Sequence, residues 1–148
     1  MDVVELIDGS NKLVAVFGYW PSFHDAEVLW IKLDRRPVPG RIGPTFDGVI
    51  HAFEMTSEVN TQGCYVLRNH VLVHLRFRDV VGLQLDGFNF QNVLFGLDIS
   101  KLTEPPEEGG EFEVVFGSSY GVQATFQCGG VEVVAVTPCN EVGEAIPT

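Results

Sequence analysis

The sequence has few cysteines, and their spacing matches no known cysteine motif. Its 148 residues contain three, Cys64, Cys128 and Cys139, an odd number without the C-x-x-C spacing of zinc or redox sites. The N-terminus does not combine a charged start with an apolar run, so a secretory signal is not indicated. We therefore expect reduced thiols, no disulfide framework and a cytoplasmic location.

Long apolar runs and basic residues are also scarce. Apolar stretches such as residues 28–31 and 133–136 are far shorter than the roughly 18 residues of a membrane-spanning helix. Nine Lys and Arg against twenty Asp and Glu give a net charge of -11. Because affinity for nucleic acid comes from Lys and Arg that release counterions, we expect neither a membrane nor a nucleic acid as partner.

Familiar catalytic and cofactor motifs are missing as well. The chain has no G-x-S-x-G, no G-x-x-x-x-G-K-[ST] and no G-x-G-x-x-G. Residues 117–121, Gly-Ser-Ser-Tyr-Gly, are typical of a hairpin turn. The sequence therefore predicts neither an enzyme nor a bound cofactor.

Hydrophobic residues, at 45% of the chain, are sufficient for the core of one domain. Ser10 as N-cap and Gly18 as stop predict a short N-terminal helix. Runs of β-forming residues predict eight strands: residues 22–34, 46–58, 70–79, 81–85, 92–99, 112–117, 122–128 and 131–137. We expect a single all-β domain, an antiparallel sandwich or partly open barrel, with its core in residues 13–137 and a loose tail over 138–148.

Details of three strands carry further expectations. Residues 22–34 are apolar on both faces, which predicts a central, covered strand. Residues 70–79 alternate, with Val71, Val73, Leu75 and Phe77 on one face. The Gly-Gly pair at 129–130 predicts a two-residue hairpin between the last two strands. An exposed sheet edge would allow a homodimer as well as a monomer.

His24, Asp25 and Glu27 suggest a metal or acid-base site, and hence a metal-dependent hydrolase as one alternative. On an extended strand, however, Asp25 and Glu27 would share one face and His24 would lie on the other. We therefore favour hydrogen bonds to the backbone at a strand entry, with the two carboxylates paired to Arg76 and Arg78. His70 and His74 would be about 13 Å apart along one strand, too far for one ion, so no metal site is predicted.

A second alternative is a module that binds a small ligand or carbohydrate. Tyr19, Trp20 and Trp30, with the amides of Asn89, Gln91 and Asn92, could line a pocket on the sheet. Such amides more often hold a turn between strands.

Acidic residues are concentrated in the last third of the chain. From Asp98 onward nine acids face one base, Lys101. A dense acidic region can steer a basic partner. The candidate partner-binding residues are therefore Glu104, Glu107, Glu108, Glu111 and Glu113.

Three segments together resemble the bacterial immunity protein 50 family. They are Phe17-Gly-Tyr-Trp-Pro-Ser-Phe-His-Asp-Ala-Glu-Val28, Leu72-Val-His-Leu-Arg-Phe-Arg-Asp-Val80 and Phe88-Asn-Phe-Gln-Asn-Val93. The resemblance implies an all-β, non-enzymatic cytoplasmic antidote that binds and neutralises the toxin domain of a polymorphic toxin system. The acidic charge of the chain predicts that this toxin domain is basic. Its motif residues, taken as structural, are Gly18, Trp20, Pro21, Phe23, His24, Asp25, Glu27, Arg76, Asn89, Gln91 and Asn92.

Overall fold

A computed structural model describes residues 2–36, 39, 43–104 and 110–146. A short 3-10 helix, Val3–Leu6, precedes the helix α1, Ser10–Phe17. Eight strands follow: β1 (Glu27–Asp34), β2 (Thr45–Val59), β3 (Tyr65–Arg78), β4 (Val81–Asp86), β5 (Val93–Lys101), β6 (Phe112–Tyr120), β7 (Gln123–Cys128) and β8 (Gly130–Pro138). They form one antiparallel sheet, in the order β4-β7-β6-β5-β1-β2-β3-β8, which does not close into a barrel. The all-β prediction is confirmed.

Helix α1 lies between two glycines with left-handed backbone. Gly9 has φ of 75° and is the N-cap, so the prediction that Ser10 caps the helix is wrong; Ser10 is its first residue. A Cβ on Gly9 would lie 2.7 Å from the carbonyl oxygen of Val133, which makes glycine the residue that fits. Leu13 and Phe17, four residues apart on one helical face, are buried in the core.

The sheet is strongly curled. Residues 79–80 connect β3 to β4, and Gly129 connects β7 to β8, although each connection joins strands far apart in the sheet order. Such short links require the two ends of the sheet to approach each other. The N–H of Gly129 donates to the carbonyl of Arg78 over 2.7 Å where the two links meet.

This curl overturns the predicted Gly129-Gly130 hairpin. Strand β8 pairs with β3, from Val71↔Pro138 to Arg78↔Gly130, while β7 pairs with β4 and β6. A local sequence of two glycines permits a sharp change of direction. It does not require the following strand to pair with the preceding one. Here β8 follows β7 in the chain but lies at the other end of the sheet, beside β3.

The core lies inside the curl. Val71, Val73, Leu75 and Phe77 of β3 are buried, as the alternating pattern predicts. At the centre four phenylalanine rings lie 4.9 to 6.2 Å apart between centroids: Phe46, Phe77, Phe116 and Phe126. They come from β2, β3, β6 and β7, so the cluster joins both ends of the sheet.

Strand β1 differs from its prediction. It begins at Glu27 rather than at residue 22, because Phe23 and Asp25 have φ near 65° and cannot continue a strand. It is central in the sheet order, yet Leu29, Trp30 and Leu33 are exposed. Central pairing of the backbone therefore does not by itself cover the side chains of this strand.

The C-terminal residues fold back on the sheet. Cys139 and Ala145 form an isolated bridge, and the N–H of Cys139 donates to the carbonyl of His70 over 3.0 Å. The Asn140 side chain accepts from the N–H groups of Val142 and Glu144. Among the described residues, no helix has the length and apolar character to span a membrane.

The aromatic core gives a first prediction. Replacing Phe77, fully buried, with alanine should lower the free energy of unfolding by about 3 to 5 kcal/mol, because it leaves a cavity among the other three rings. The same change at Phe90, which is 83% exposed, should alter it by less than about 0.5 kcal/mol. Urea denaturation measures both; equal losses would contradict the assignment of the core.

Candidate functional site

Residues 17–28, the most distinctive stretch of the sequence, cross from α1 to β1. Gly18 ends the helix with φ of 82°, and its N–H donates to the carbonyl of Val14 over 2.7 Å. Trp20 packs edge-on against Phe23, with 5.9 Å between ring centroids. Pro21 and Phe23 are buried. These motif residues fill space beneath the turn that leads into β1.

The same stretch joins the two halves of the sheet. In the described part of the chain, β1 and β5 share one paired position, Glu27↔Val93. Around it, the backbone N–H groups of residues 25, 28, 94 and 97 donate to the carbonyls of Leu94, Asn92, Ala26 and Ser22, over 2.8 to 3.2 Å. We call residues 22–28 and 92–97 the junction. It connects β1-β2-β3-β8 to β4-β7-β6-β5.

The structure brings His24 and Asp25 together and directs Glu27 elsewhere. The Nδ1 of His24 donates to the carbonyl of Phe95 over 2.8 Å, and its Nε2 lies 3.6 Å from the Asp25 carboxylate. Glu27 instead accepts from the N–H of Asn92 over 3.3 Å. Because Asp25 has left-handed backbone, the prediction that it shares a strand face with Glu27 is wrong. No group of three or more His, Cys, Asp or Glu suited to a metal ion occurs among the described residues.

Asn92 is the polar centre of the junction and is buried. Its Oδ1 accepts from the N–H groups of Asn89 and Val122, over 2.9 and 3.1 Å. Its Nδ2 donates to the carbonyls of Asn89 and Val28, over 2.9 and 3.4 Å. One amide thus holds β1, the loop before β5 and the start of β7 together. Asn89 and Gln91 are exposed on that loop.

The arginines of β3 have partners other than the predicted ones. Arg76 and His74 both donate to Asp47, at distances of 2.8 to 3.2 Å, and Arg78 donates to Asp8 and Glu132. The prediction that they pair with Asp25 and Glu27 is therefore wrong. Burial alone would raise the pKa of Asp47, but hydrogen bonds from Arg76 and His74 outweigh it and hold the pKa below its usual value.

Two histidines from neighbouring strands form a pair. The Nε2 of His51 lies 2.9 Å from the Nδ1 of His70, on the face of β2 and β3 that points away from the core. His51 lies opposite Leu72, so His70 is its diagonal neighbour. Alternation in β3 places His70 on that face, but only the register with β2 brings His51 beside it. Burial, and then the proximity of His70, lower the pKa of His51 although Glu27 acts in the opposite direction.

Three of the five predicted acidic residues lie in the described chain, around the start of β6. Glu104, Glu111 and Glu113 are exposed, whereas Glu107 and Glu108 lie outside the described residues. The N–H of Leu102 donates to the carbonyl of Glu111 over 2.8 Å and fixes the base of this connection. Lys101 lies opposite Phe112, next to the pair Ser100↔Glu113.

The structure does not assemble the pocket expected of a ligand-binding module. Trp20 borders an open groove of about 390 Å³ beside Phe95, whereas Tyr19 lines a different groove of about 240 Å³. Trp30 lies elsewhere, 5.3 Å from the His74 ring. The Asn92 amide is fully engaged with the backbone.

Comparison with known proteins assigns the chain to a family. The sequence profile of immunity protein 50 matches residues 9–139. The chain belongs to the immunity protein 50 family. The resemblance read from the three sequence segments is therefore confirmed. The matched range of the immunity protein 50 family includes the whole junction, Asn92 and the described acids near β6. No curated protein and no solved structure matches significantly.

The Asn92 amide gives a second prediction. Asn92→Ala should lower the free energy of unfolding by about 2 to 4 kcal/mol, because it leaves the N–H groups of Asn89 and Val122 without their acceptor. Asn89→Ala, the same change on the exposed part of the loop, should cost less than about 1 kcal/mol. Urea denaturation compares them. If the losses were equal, Asn92 would not be what joins these elements.

The His51 environment gives a third prediction. Its folded-state pKa is below the ordinary value of 6.5, so the unfolded chain binds more protons in the window just below that value. Stability should therefore fall as the pH decreases from about 7.5 to about 5.5. In His51→Gln this decrease should be smaller. Urea midpoints at several pH values measure the slope, and parallel curves for variant and wild type would contradict the assignment.

Proposed function

We propose that this chain is an immunity protein that binds the domain of a cognate bacterial toxin and neutralises it in the cytoplasm, by binding rather than by catalysis. Membership of the immunity protein 50 family is the observation that carries the proposal. Such a protein acts through a surface, so the identity of the surface is the main structural question.

Charge supports an acidic surface that faces a basic toxin. The chain has a net charge of -11, and residues 98–148 contain nine of its twenty acids and only one base. Glu104, Glu111 and Glu113 are exposed near the start of β6. Opposite charges on two proteins accelerate their encounter, and the acceleration weakens as salt screens the charges. The acids near β6 would therefore speed association.

Growth rescue tests the proposed function. The toxin domain encoded beside the gene for this chain is expressed alone and together with it. Co-expression should restore growth, and the purified proteins should form a complex. An inactivated toxin domain serves as the control for expression burden. If the chain rescues growth from none of the neighbouring toxins, the proposed function is wrong.

Charge reversal tests the acidic surface and is a fourth prediction. The triple variant Glu104→Lys, Glu111→Lys and Glu113→Lys should associate with the toxin domain at least about tenfold more slowly at low salt, with a flatter salt dependence. The matched control reverses three exposed acids elsewhere: Glu5→Lys, Glu58→Lys and Glu141→Lys. Both variants carry the same net charge. A difference between their association rates would therefore come from the positions of the reversed charges.

Stopped-flow association at about 0.05 and about 0.5 M salt measures these rates. Equal slowing in both variants would assign the effect to net charge. Unchanged rates in the first variant would remove the acids near β6 from the interface.

A further inference from the structure

Four large aromatic side chains are exposed at the end of the sheet near the junction. Phe90 is 83% exposed, Phe95 68%, Phe88 49% and Tyr120 46%. We call Phe88, Phe90, Phe95 and Tyr120 the aromatic surface. Single exposed apolar residues are ordinary on proteins, but several adjoining rings are typical of an interaction site.

Ring contacts link members of this surface in pairs. The rings of Phe90 and Tyr120 lie 6.0 Å apart between centroids. Tyr120 pairs with Val93 at the start of β5, and the pairing register shifts on both sides of Leu94, so the exposed Phe95 stands at an irregularity of β5 beside this pair. His24 extends the surface, with its ring 5.5 Å from that of Phe95.

The backbone beneath the aromatic surface is held firmly in place. The buried amide of Asn92 bonds to both backbone groups of Asn89 and to the N–H of Val122. The N–H of Phe90 donates to Oδ1 of Asn89 over 2.8 Å. Gly121 has φ of 84°, and a Cβ there would collide with the carbonyl of Gln91. The loop that carries Phe90 is thus restrained, and its backbone loses little conformational freedom on binding.

The chain segments that carry these rings, together with residues 22–28 of the junction, have charges of one sign. Residues 22–28, 86–98 and 118–123 contain four acids and no Lys or Arg. The acids are Asp25, Glu27, Asp86 and Asp98. A partner that covers the rings must therefore present an apolar recess with basic residues at its border, because acidic ones would be repelled.

We infer that the aromatic surface is the energetic centre of the interface with the toxin domain, where Phe90 and Tyr120 enter an apolar recess bordered by Lys and Arg. The inference rests on the proposed function and adds to it the residues that hold the complex together. Rings of this kind, central and desolvated on binding, dominate many protein interfaces.

The aromatic surface and the acids near β6 lie at different ends of that strand. Glu113 and Tyr120 are about 23 Å apart along β6. Attraction between charges acts before contact, so the glutamates can steer a basic partner without being covered by it. In this arrangement the glutamates govern the rate of encounter and the aromatic surface governs the rate of dissociation.

Alanine substitution tests the inference and is a fifth prediction. The probe is the purified toxin domain that the wild-type chain neutralises in the rescue assay. Phe90→Ala and Tyr120→Ala should each raise the dissociation rate about 30-fold, with the association rate and its salt dependence almost unchanged. Tyr65→Ala is the matched control, since Tyr65 is 58% exposed on β3, outside the aromatic surface. Surface plasmon resonance gives both rates.

The outcomes separate the two hypotheses. If wild type binds and neutralises the toxin but Phe90→Ala and Tyr120→Ala dissociate at its rate, the inference is overturned and the proposed function stands. If wild type binds no neighbouring toxin, both are overturned. The inference is also overturned if free wild type sediments as a dimer that either substitution dissociates, since a second copy would then cover the rings. Unfolding curves of each variant, superimposed on wild type, ensure that the rates report on contact.

Discussion

The buried amide of Asn92 and the backbone hydrogen bonds around it hold together a sheet that would otherwise be two. Strands β1 and β5 share one paired position, Glu27↔Val93, in the described chain. An ordinary ladder between two strands spreads its stabilisation over many residues. Here the connection is concentrated in the junction, where Phe23 and Asp25 adopt left-handed backbone that strand geometry would not allow. Asn92 satisfies groups from three elements that would be costly to bury without partners.

The core depends on that connection. Phe46 and Phe77 belong to one half of the sheet, and Phe116 and Phe126 to the other, yet their rings pack together. Burial of such rings is the largest single source of stability in a domain of this size. This burial requires the two halves of the sheet to be joined at the junction. It also requires the sheet to curl until β4 and β8, its two edge strands, approach each other near Gly129. The hydrogen bonds of the junction set the geometry, and burial of the phenylalanine cluster with the rest of the core stabilises it.

Polar residues divide into those engaged within the fold and those available to a partner. Asp47, with His74 and Arg76, forms a network on the outer face of β2 and β3 whose members satisfy one another. Arg78 bonds to Asp8 and Glu132 close to the point where the sheet ends meet. By contrast, the rings of the aromatic surface are exposed, as are Glu104, Glu111 and Glu113. The residues that look most like an active site in the sequence, His24, Asp25 and Glu27, belong to the framework around the junction.

Local physical preferences in the sequence sufficed for the all-β class, the end of α1 and the buried face of β3, and resemblance of three segments sufficed for the family. The helix ends at Gly18 because glycine alone adopts left-handed backbone freely, and Val71 to Phe77 alternate because a strand turns successive side chains to opposite faces. Tertiary structure decided which residues meet across long separations. Arg76 binds Asp47 and His51 contacts His70 because β2 and β3 pair in one register. Gly129 links β7 to β8, which lie near opposite ends of the sheet order. This short link is possible because the sheet curls around its core and brings the two ends together. Phe90 and Tyr120 are in contact for a similar reason. The Asn92 side chain binds the backbone of Val122 and so holds the loop of Phe90 beside the end of β6. The two segments are far apart in the chain, so no local sequence pattern predicts that they meet.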